Sequence, residues 1–244
     1  MTDLHIELHT VDSIKSTNTA LKDLAKNGAP EGYLLSASSQ TRGRGRLNRT
    51  FFSPEGTGLY CSLLLRPKSV LPAYALTCMT AVAICETIES YDIACGIKWV
   101  NDVYVKDRKA AGILVESAIG SDGAIQYAVV GIGVNLFSPI DGFPESIADK
   151  AGSVFLCAPN ENLKLQFIKR LMNRIKFYYE RLPQIEFGDG YRSRMILFHK
   201  NVLFANKTGM QNGTVIGLDE AFRLLVRSDS GEIHALDRGE VVIQ

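Results

Sequence analysis

From Cys95 to Asn135 the chain is almost continuously strand-forming, and no other stretch constrains the fold as strongly. "CGIKWV", "VYVKDRKAAGILVES" and "AIQYAVVGIGVN" are β-rich segments separated by short polar breaks. The turn "GSDG" (120–123) predicts a hairpin joining the last two. A sheet is therefore required, and helical patterns before and after the run make the class α+β.

The remaining elements follow from local signals. "HIELHTV" (5–11) alternates as a strand, and "STNTALKDLAKNG" reads as a helix with Ser16 or Thr17 as N-cap and Gly28 as terminator. "YLLSAS" (33–38) and "GLYCSLLLRP" (58–67) are strands, the second ended by Pro67. Pro72 opens a helix through about Tyr91, apolar on most sides and therefore buried. Leu163, Phe167, Leu171, Ile175, Tyr178 and Leu182 mark an amphipathic helix over 161–182, and a second helical piece covers about 187–196. After His199 the texture changes to short strands between Gly, Asn and Asp turns. This predicts a small β-barrel-like appendage.

Composition narrows the function. With 244 residues the chain can hold one large domain or a main domain with an appendage. A net charge of +1 argues against a protein that coats nucleic acid. Five cysteines without a CxxC pair fit a reducing compartment better than a disulfide framework. There is no signal-peptide pattern and no apolar run near the roughly 20 residues that span a bilayer, so a cytoplasmic location is expected, with no membrane partner. The G-x-x-x-x-G-K-[ST] phosphate loop, H-E-x-x-H and G-x-S-x-G are all missing. Near-misses to the dinucleotide fingerprint at Gly43, Gly56 and Gly131 each lack the third glycine.

Two clusters carry chemistry. "SQTRGRGRLNRTFFSPEG" (39–56) places Arg42, Arg44, Arg46 and Arg49 on a loop with Gly43 and Gly45. Glycines allow close backbone approach, and several guanidinium groups can converge on a polyanion. An isolated GRGR also reads as a solvated basic turn. Phe51 and Phe52 offer a stacking face for a base, with at least one of them expected in the core. In "IKWVNDVYVKDRK", Lys98 and Trp99 on a strand must point to opposite faces. Asp102 could hold Mg²⁺, and the lysines could neutralise phosphate or carboxylate oxygens. A plain turn at Asn101-Asp102 is the alternative. "STN" (16–18) offers two hydroxyls and an amide at a helix N-terminus, suited to a small polar ring.

Taken in order, Ser16-Thr17-Asn18, Gln40 with Gly43-Arg44-Gly45-Arg46, Lys98-Trp99-Val100-Asn101-Asp102, the segment from Lys109 to Glu116, and Gly131-Ile132-Gly133-Val134-Asn135 resemble the biotin protein ligases over nearly the whole chain. The resemblance implies a mixed-sheet catalytic domain with flanking helices, like class II aminoacyl-tRNA synthetases, over 1–196. It implies an SH3-like domain over 197–244. It also implies ATP and biotin as substrates, Mg²⁺, a biotin carboxyl carrier protein domain as acceptor, and a monomer or homodimer. Ser16, Thr17, Asn18, Gln40, Arg44, Gly45, Arg46, Lys109 and Gly112 would surround biotin. Arg46, Arg49, Phe51, Lys98, Asn101 and Asn135 would serve ATP, and Asp102 the metal. Lys109 and Arg46 would be catalytic. Asn48, Phe51 and Val100 depart from the family's glycine, tryptophan and proline, and Val100 is expected to loosen its strand end. Only 15 residues precede Ser16, so no DNA-binding module and no DNA partner are expected. A lipoate or octanoate transferase of the same fold class, or a non-catalytic biotin- or nucleotide-binding module, remain as rival readings.

Overall fold

The computed structural model describes residues 3–68, 71, 74–121, 123–182, 184–206, 209–237 and 241–243. Two strands, β1 (Glu7–Ile14) and β2 (Tyr33–Gln40), pair in parallel across the helix α1 (Thr17–Lys26). The sheet continues through β3 (Gly58–Leu65), β7 (Ile125–Asn135), β6 (Arg108–Ile119), β5 (Asp102–Val105) and β4 (Gly96–Lys98), all antiparallel. The result is the expected mixed sheet. The β6–β7 hairpin forms as expected, although Asp122 of its turn lies outside the described residues.

Strand periodicity sorts the two faces. Ala128, Val130, Ile132 and Val134 of β7 join the main core, which α2 (Ala75–Glu89) and α4 (Glu161–Tyr179) cover. Helix α2 is apolar almost all round and buried accordingly; Pro72, read as its start, lies outside the described residues. Asn160 caps α4, its side chain accepting from Leu163 N at 3.0 Å. On the opposite face, Leu21 and Ala25 of α1 pack over Leu35, Leu64, Tyr127 and Val129. Because α1 is short, it covers only part of that face. The short helix α3 (Glu145–Ala148) lies beyond β7 in sequence.

The piece expected over 187–196 is helical only as α5 (Gly188–Ser193). Residues 194–196 run alongside β4 instead: Ile97 N donates to Arg194 O at 2.7 Å and Ile196 N to Ile97 O at 3.0 Å. Those bonds cover a sheet edge that would otherwise expose its backbone. The N-terminal strand starts two residues later than its alternation suggests. It is an edge strand whose Leu8 and Val11 stay exposed, so the alternation does not report a core face.

Beyond α5, β8 (Asn201–Asn206), β9 (Gly209–Leu218), β10 (Leu224–Ser228), β11 (Ile233–Leu236) and β12 (Val241–Ile243) form a second sheet. Its order is β11-β10-β9-β8-β12, antiparallel throughout. Val202, Phe204, Val215, Phe222, Leu224 and Val226 merge with the main core. Trp99 ties the two sheets, its indole N–H donating to Phe222 O at 2.8 Å. Among the described residues no helix is long and apolar enough to cross a membrane.

Candidate active site

Where α1 stops covering the sheet, a cavity of about 260 Å³ opens. Its floor follows from register. Gly131, Gly133 and Asn135 share one face of β7, and Gly112 and Leu114 of β6 lie directly across from Gly133 and Gly131. Glycine is required here by contact. A Cβ on Gly131 would lie 2.1 Å from Asn18 Oδ1, and one on Gly133 would lie 2.6 Å from Phe51 Cε1. The floor is thus molded to two side chains from other elements.

Every residue that the resemblance assigns to biotin, ATP or the metal lines this cavity, whereas Arg42, Gly43, Asn48 and Val100 do not. At one end, the Ser16 hydroxyl caps α1, accepting from Thr19 N at 3.5 Å, which leaves its own proton free. Gln40 Oε1 accepts from Thr17 N (2.9 Å) and Thr17 Oγ1 (3.1 Å), while Gln40 Nε2 donates to Ser53 Oγ (3.0 Å). One amide hydrogen of Gln40 remains uncommitted. Asn18 commits both hydrogens, to Leu114 O and to Glu116 Oε2, each at 3.1 Å. Its Oδ1 accepts from Ser62 Oγ at 2.6 Å and keeps a second lone pair.

The arginine loop is a narrow hairpin. Gly45 N donates to Arg49 O at 2.7 Å and Phe51 N to Gly43 O at 2.9 Å. At its tip Leu47 and Asn48 adopt left-handed φ values of 54° and 60°. Asn48 therefore does occupy a conformation that favours glycine and that Asn tolerates. Arg44 forks onto Glu116, with Nη1–Oε2 at 2.8 Å and Nη2–Oε1 at 3.2 Å. Arg46 Nη1 donates to Asn101 Oδ1 at 2.9 Å, and Asn101 Nδ2 donates to Ile113 O at 3.0 Å. The resemblance assigns Asn101 to ATP; in the structure its amide holds Arg46. Neither Phe51 nor Phe52 is core, contrary to expectation: both are half-exposed cavity walls, because the glycine pair gives Phe51 a flat seat outside the core.

At the other end, Lys109 Nζ lies 2.6 Å from Asp102 Oδ1. That oxygen is buried and has no partner with hydrogen-bond geometry, so the contact is a charge pair that leaves a lone pair open. Among the described residues no cluster of three or more metal-ligating groups exists. One under-satisfied carboxylate fits Mg²⁺ whose remaining ligands are phosphate oxygens and water. Lys98 is half-buried, with its ammonium 6.0 Å from the Tyr104 ring, while Trp99 is core; the two do part as expected, but Trp99 lies in the turn after β4 rather than on the strand. Val100, in the turn that follows β4, is buried and its carbonyl accepts from Tyr191 Oη at 3.0 Å. Asn135 Nδ2 donates to Gly152 O at 3.0 Å, and Lys109 N to Lys150 O at 2.7 Å. These bonds bring Phe143, Ile147 and Lys150 to the cavity wall.

Sequence reasoning assigned no role to Ser53, Ser62, Lys22, Phe143, Ile147 or Lys150, and it used Glu116 only as a motif letter. The Glu116 carboxyl is pushed up by burial, yet hydrogen bonds from Lys22, Asn18 and Arg44 outweigh that and hold it below its ordinary range.

The sequence model of the biotin/lipoate A/B protein ligase family matches residues 10–135. The bifunctional ligase/repressor BirA of Bacillus spizizenii is 31% identical over 90% of this chain and 69% of its own length. A biotin--[acetyl-CoA-carboxylase] ligase of Paracoccus denitrificans is 30% identical over 88% of this chain and 92% of its own. The solved biotin protein ligase from Aquifex aeolicus, in complex with biotin and ATP, has a TM-score of 0.79 at 29% identity, covering 98% of both chains. The chain belongs to the biotin/lipoate A/B protein ligase family, among its biotin protein ligases.

Proposed function

We propose that this protein activates biotin with ATP and transfers it to a lysine of a biotin carboxyl carrier protein domain. The observation that carries this reading is the convergence of five separate motif segments on one cavity. At the α1 end, a free Ser16 hydroxyl proton and one Gln40 N–H can serve a ring carbonyl. Asn18 Oδ1 can accept from a ring N–H. That is the pattern a cyclic urea presents.

In the first step a biotin carboxylate oxygen attacks the α-phosphorus of ATP, and the bond to the β-phosphate oxygen breaks as pyrophosphate leaves. Two anions approach each other, so Arg46, Arg49, Lys98 and Lys109 lower the barrier by screening charge that builds on the phosphates. Mg²⁺ held by Asp102 would supply further charge neutralisation on the phosphate oxygens. In the second step the neutral amine of the acceptor lysine attacks the acyl carbon. AMP leaves with the bonding electrons, and the amine proton passes to solvent. Lys109, at the Asp102 end of the cavity, supports negative charge in both steps. The arginine hairpin keeps water from the mixed anhydride.

We read 1–196 as the catalytic domain, of the class II synthetase-like kind, and 197–244 as an SH3-like domain. The break between α5 and β8 and the all-antiparallel second sheet support this division. Val241 lines the cavity, so the second unit is placed to contribute to the site.

Incubation with biotin, ATP and Mg²⁺ should release pyrophosphate and yield biotinyl-5′-adenylate by mass spectrometry. Adding a carrier domain should consume the adenylate. Because the family also embraces lipoate ligases, lipoate is offered in a parallel reaction. Activation of lipoate but not biotin would replace this reading with the rival one, and activation of neither would remove it.

A further inference from the structure

One carboxylate joins the two halves of the site. Glu116 Oε2 accepts from Asn18 Nδ2 at 3.1 Å and from Arg44 Nη1 at 2.8 Å. Its Oε1 accepts from Arg44 Nη2 at 3.2 Å and from Lys22 Nζ at 2.8 Å. Four charge-assisted bonds, two on each oxygen, thus fill about the whole acceptor capacity of the group. Two of the three donor residues line the cavity; the third, Lys22, lies one turn along α1 from Asn18 and belongs to no motif.

The arrangement has two consequences. First, an asparagine amide can turn over and exchange its oxygen for its nitrogen. With Glu116 and Leu114 O both demanding a donor, Asn18 is held with Nδ2 toward β6 and Oδ1 toward Ser62. The cavity is therefore offered an acceptor, which a ring N–H needs. Second, Arg44 sits on an exposed hairpin, and a planar fork to a fixed carboxylate on β6 gives its guanidinium one orientation. Lys22 supplies a second charge that keeps Glu116 ionised, from α1 rather than from the hairpin.

We infer that Glu116 is a positioning residue for biotin binding, fixing Asn18 and Arg44 to the sheet together, with Lys22 as its counter-charge. This rests on the biotin-ligase reading of the cavity. It adds a residue that need not touch biotin or ATP, and a lysine outside every motif. The charged groups facing Glu116 are Lys22 from α1 and Arg44 from the hairpin; Asn18 is its neutral partner. Both cations favour the carboxylate, so its bonds hold at neutral pH and fail as pH falls through its depressed pKa.

The test measures steady-state pyrophosphate release for wild type, Glu116→Gln, Lys22→Met and, as a control, Lys26→Met. Lys26 is on the same helix but pairs with exposed Asp23 at 3.5 Å. Glutamine cannot accept a bidentate fork, and its NH₂ faces other donors. Glu116→Gln should raise KM for biotin on the order of tenfold or more, with a smaller change in KM for ATP. Lys22→Met should keep neutral-pH KM within about threefold but shift the acid-side rise in biotin KM to higher pH. Lys26→Met should move neither. An unchanged biotin KM in Glu116→Gln overturns the inference, as does an equal rise in both KM values. If Glu116→Gln fails to fold, the pH profile of Lys22→Met decides, and a profile superimposable on wild type overturns it. Wild-type protein that releases no pyrophosphate with biotin would instead defeat the functional reading itself.

Discussion

The glycine floor and the arginine hairpin face the same cavity but are held by opposite means. The floor consists of central strands paired on both sides, and its shape is set by missing side chains: Gly131 seats Asn18 and Gly133 seats Phe51. The hairpin is held by partners at its edges: Arg44 on Glu116, Arg46 on Asn101 and two backbone bonds across its base. One region is defined by steric fit, the other by charge and hydrogen bonding. A ligand entering the site meets a surface shaped by absent side chains and a clasp held by exchangeable polar bonds.

Lys109 cuts across that division, since it is a charge carried by the floor. If catalysis depends on it, Lys109→Ala should lower the rate of adenylate formation by roughly 10²-fold or more, the scale seen when a single transition-state donor is lost. Its side chain is a third exposed, so the thermal midpoint should change little. Single-turnover pyrophosphate release measures the first effect and calorimetry the second. A near-normal rate would mean that the hairpin arginines alone manage the charge.

The steric half is probed by Gly131→Ala. The new methyl would meet Asn18 Oδ1 at 2.1 Å, so Asn18 must move from the position that Ser62 and Glu116 hold. Biotin KM should rise about 10- to 100-fold, at a stability cost of about 1–3 kcal/mol from overpacking. Loss of stability without a change in biotin KM would show that Asn18 does not read the ligand.

The same division explains what could be read from sequence. Strand runs, the buried α2 and the amphipathic α4 follow from periodicity, and all five motif segments did converge on the cavity. The roles of Glu116 and Lys22 could not be read this way. They are 94 residues apart, and neither stands out locally as more than a surface charge. Ser62 looks like a polar interruption in an apolar strand until its neighbours Thr17 and Asn18 are in place. The core expectation for one of Phe51 and Phe52 rests on hydrophobicity alone, and the glycine seat that keeps Phe51 out of the core is a cross-strand feature. The helices expected over 161–182 and 187–196 end at Tyr179 and Ser193, and residues 194–196 pair with β4 instead.

Salt separates the halves with a smaller effect. Arg44 is partly exposed, and screening acts over about 10 Å at 0.1 M ionic strength. Raising salt from about 0.05 to about 0.5 M should increase wild-type KM for ATP by roughly threefold, in proportion to the charges the clasp applies. The fold-loss caused by Gly131→Ala should be nearly the same at both salt concentrations, because a steric clash is not screened. A salt-dependent penalty for that variant would merge the two regions into one electrostatic unit.

The smallest effect belongs to the tip of the hairpin. Leu47 has φ 54° and is 65% exposed, so it holds a left-handed conformation with little packing in return. A left-handed L-residue costs about 1–2 kcal/mol relative to glycine, which adopts that region freely. Replacing Leu47 by glycine removes that strain but enlarges the unfolded ensemble, an opposing effect of about 0.5–1 kcal/mol. The difference leaves a net gain of up to about 1.5 kcal/mol for the closed hairpin, roughly a tenfold rise at most in its closed-to-open ratio. Leu47→Ala keeps the strain and should give no such gain. Amide hydrogen exchange at Gly45 and Phe51, whose N–H groups close the hairpin at 2.7 and 2.9 Å, reads this ratio directly. Slower exchange in Leu47→Gly than in Leu47→Ala is expected in the ligand-free protein, and the gap should close when biotin and ATP are added. Equal protection in both variants without ligand would mean that the arginine partners, not the backbone at the tip, set how tightly the clasp is shut.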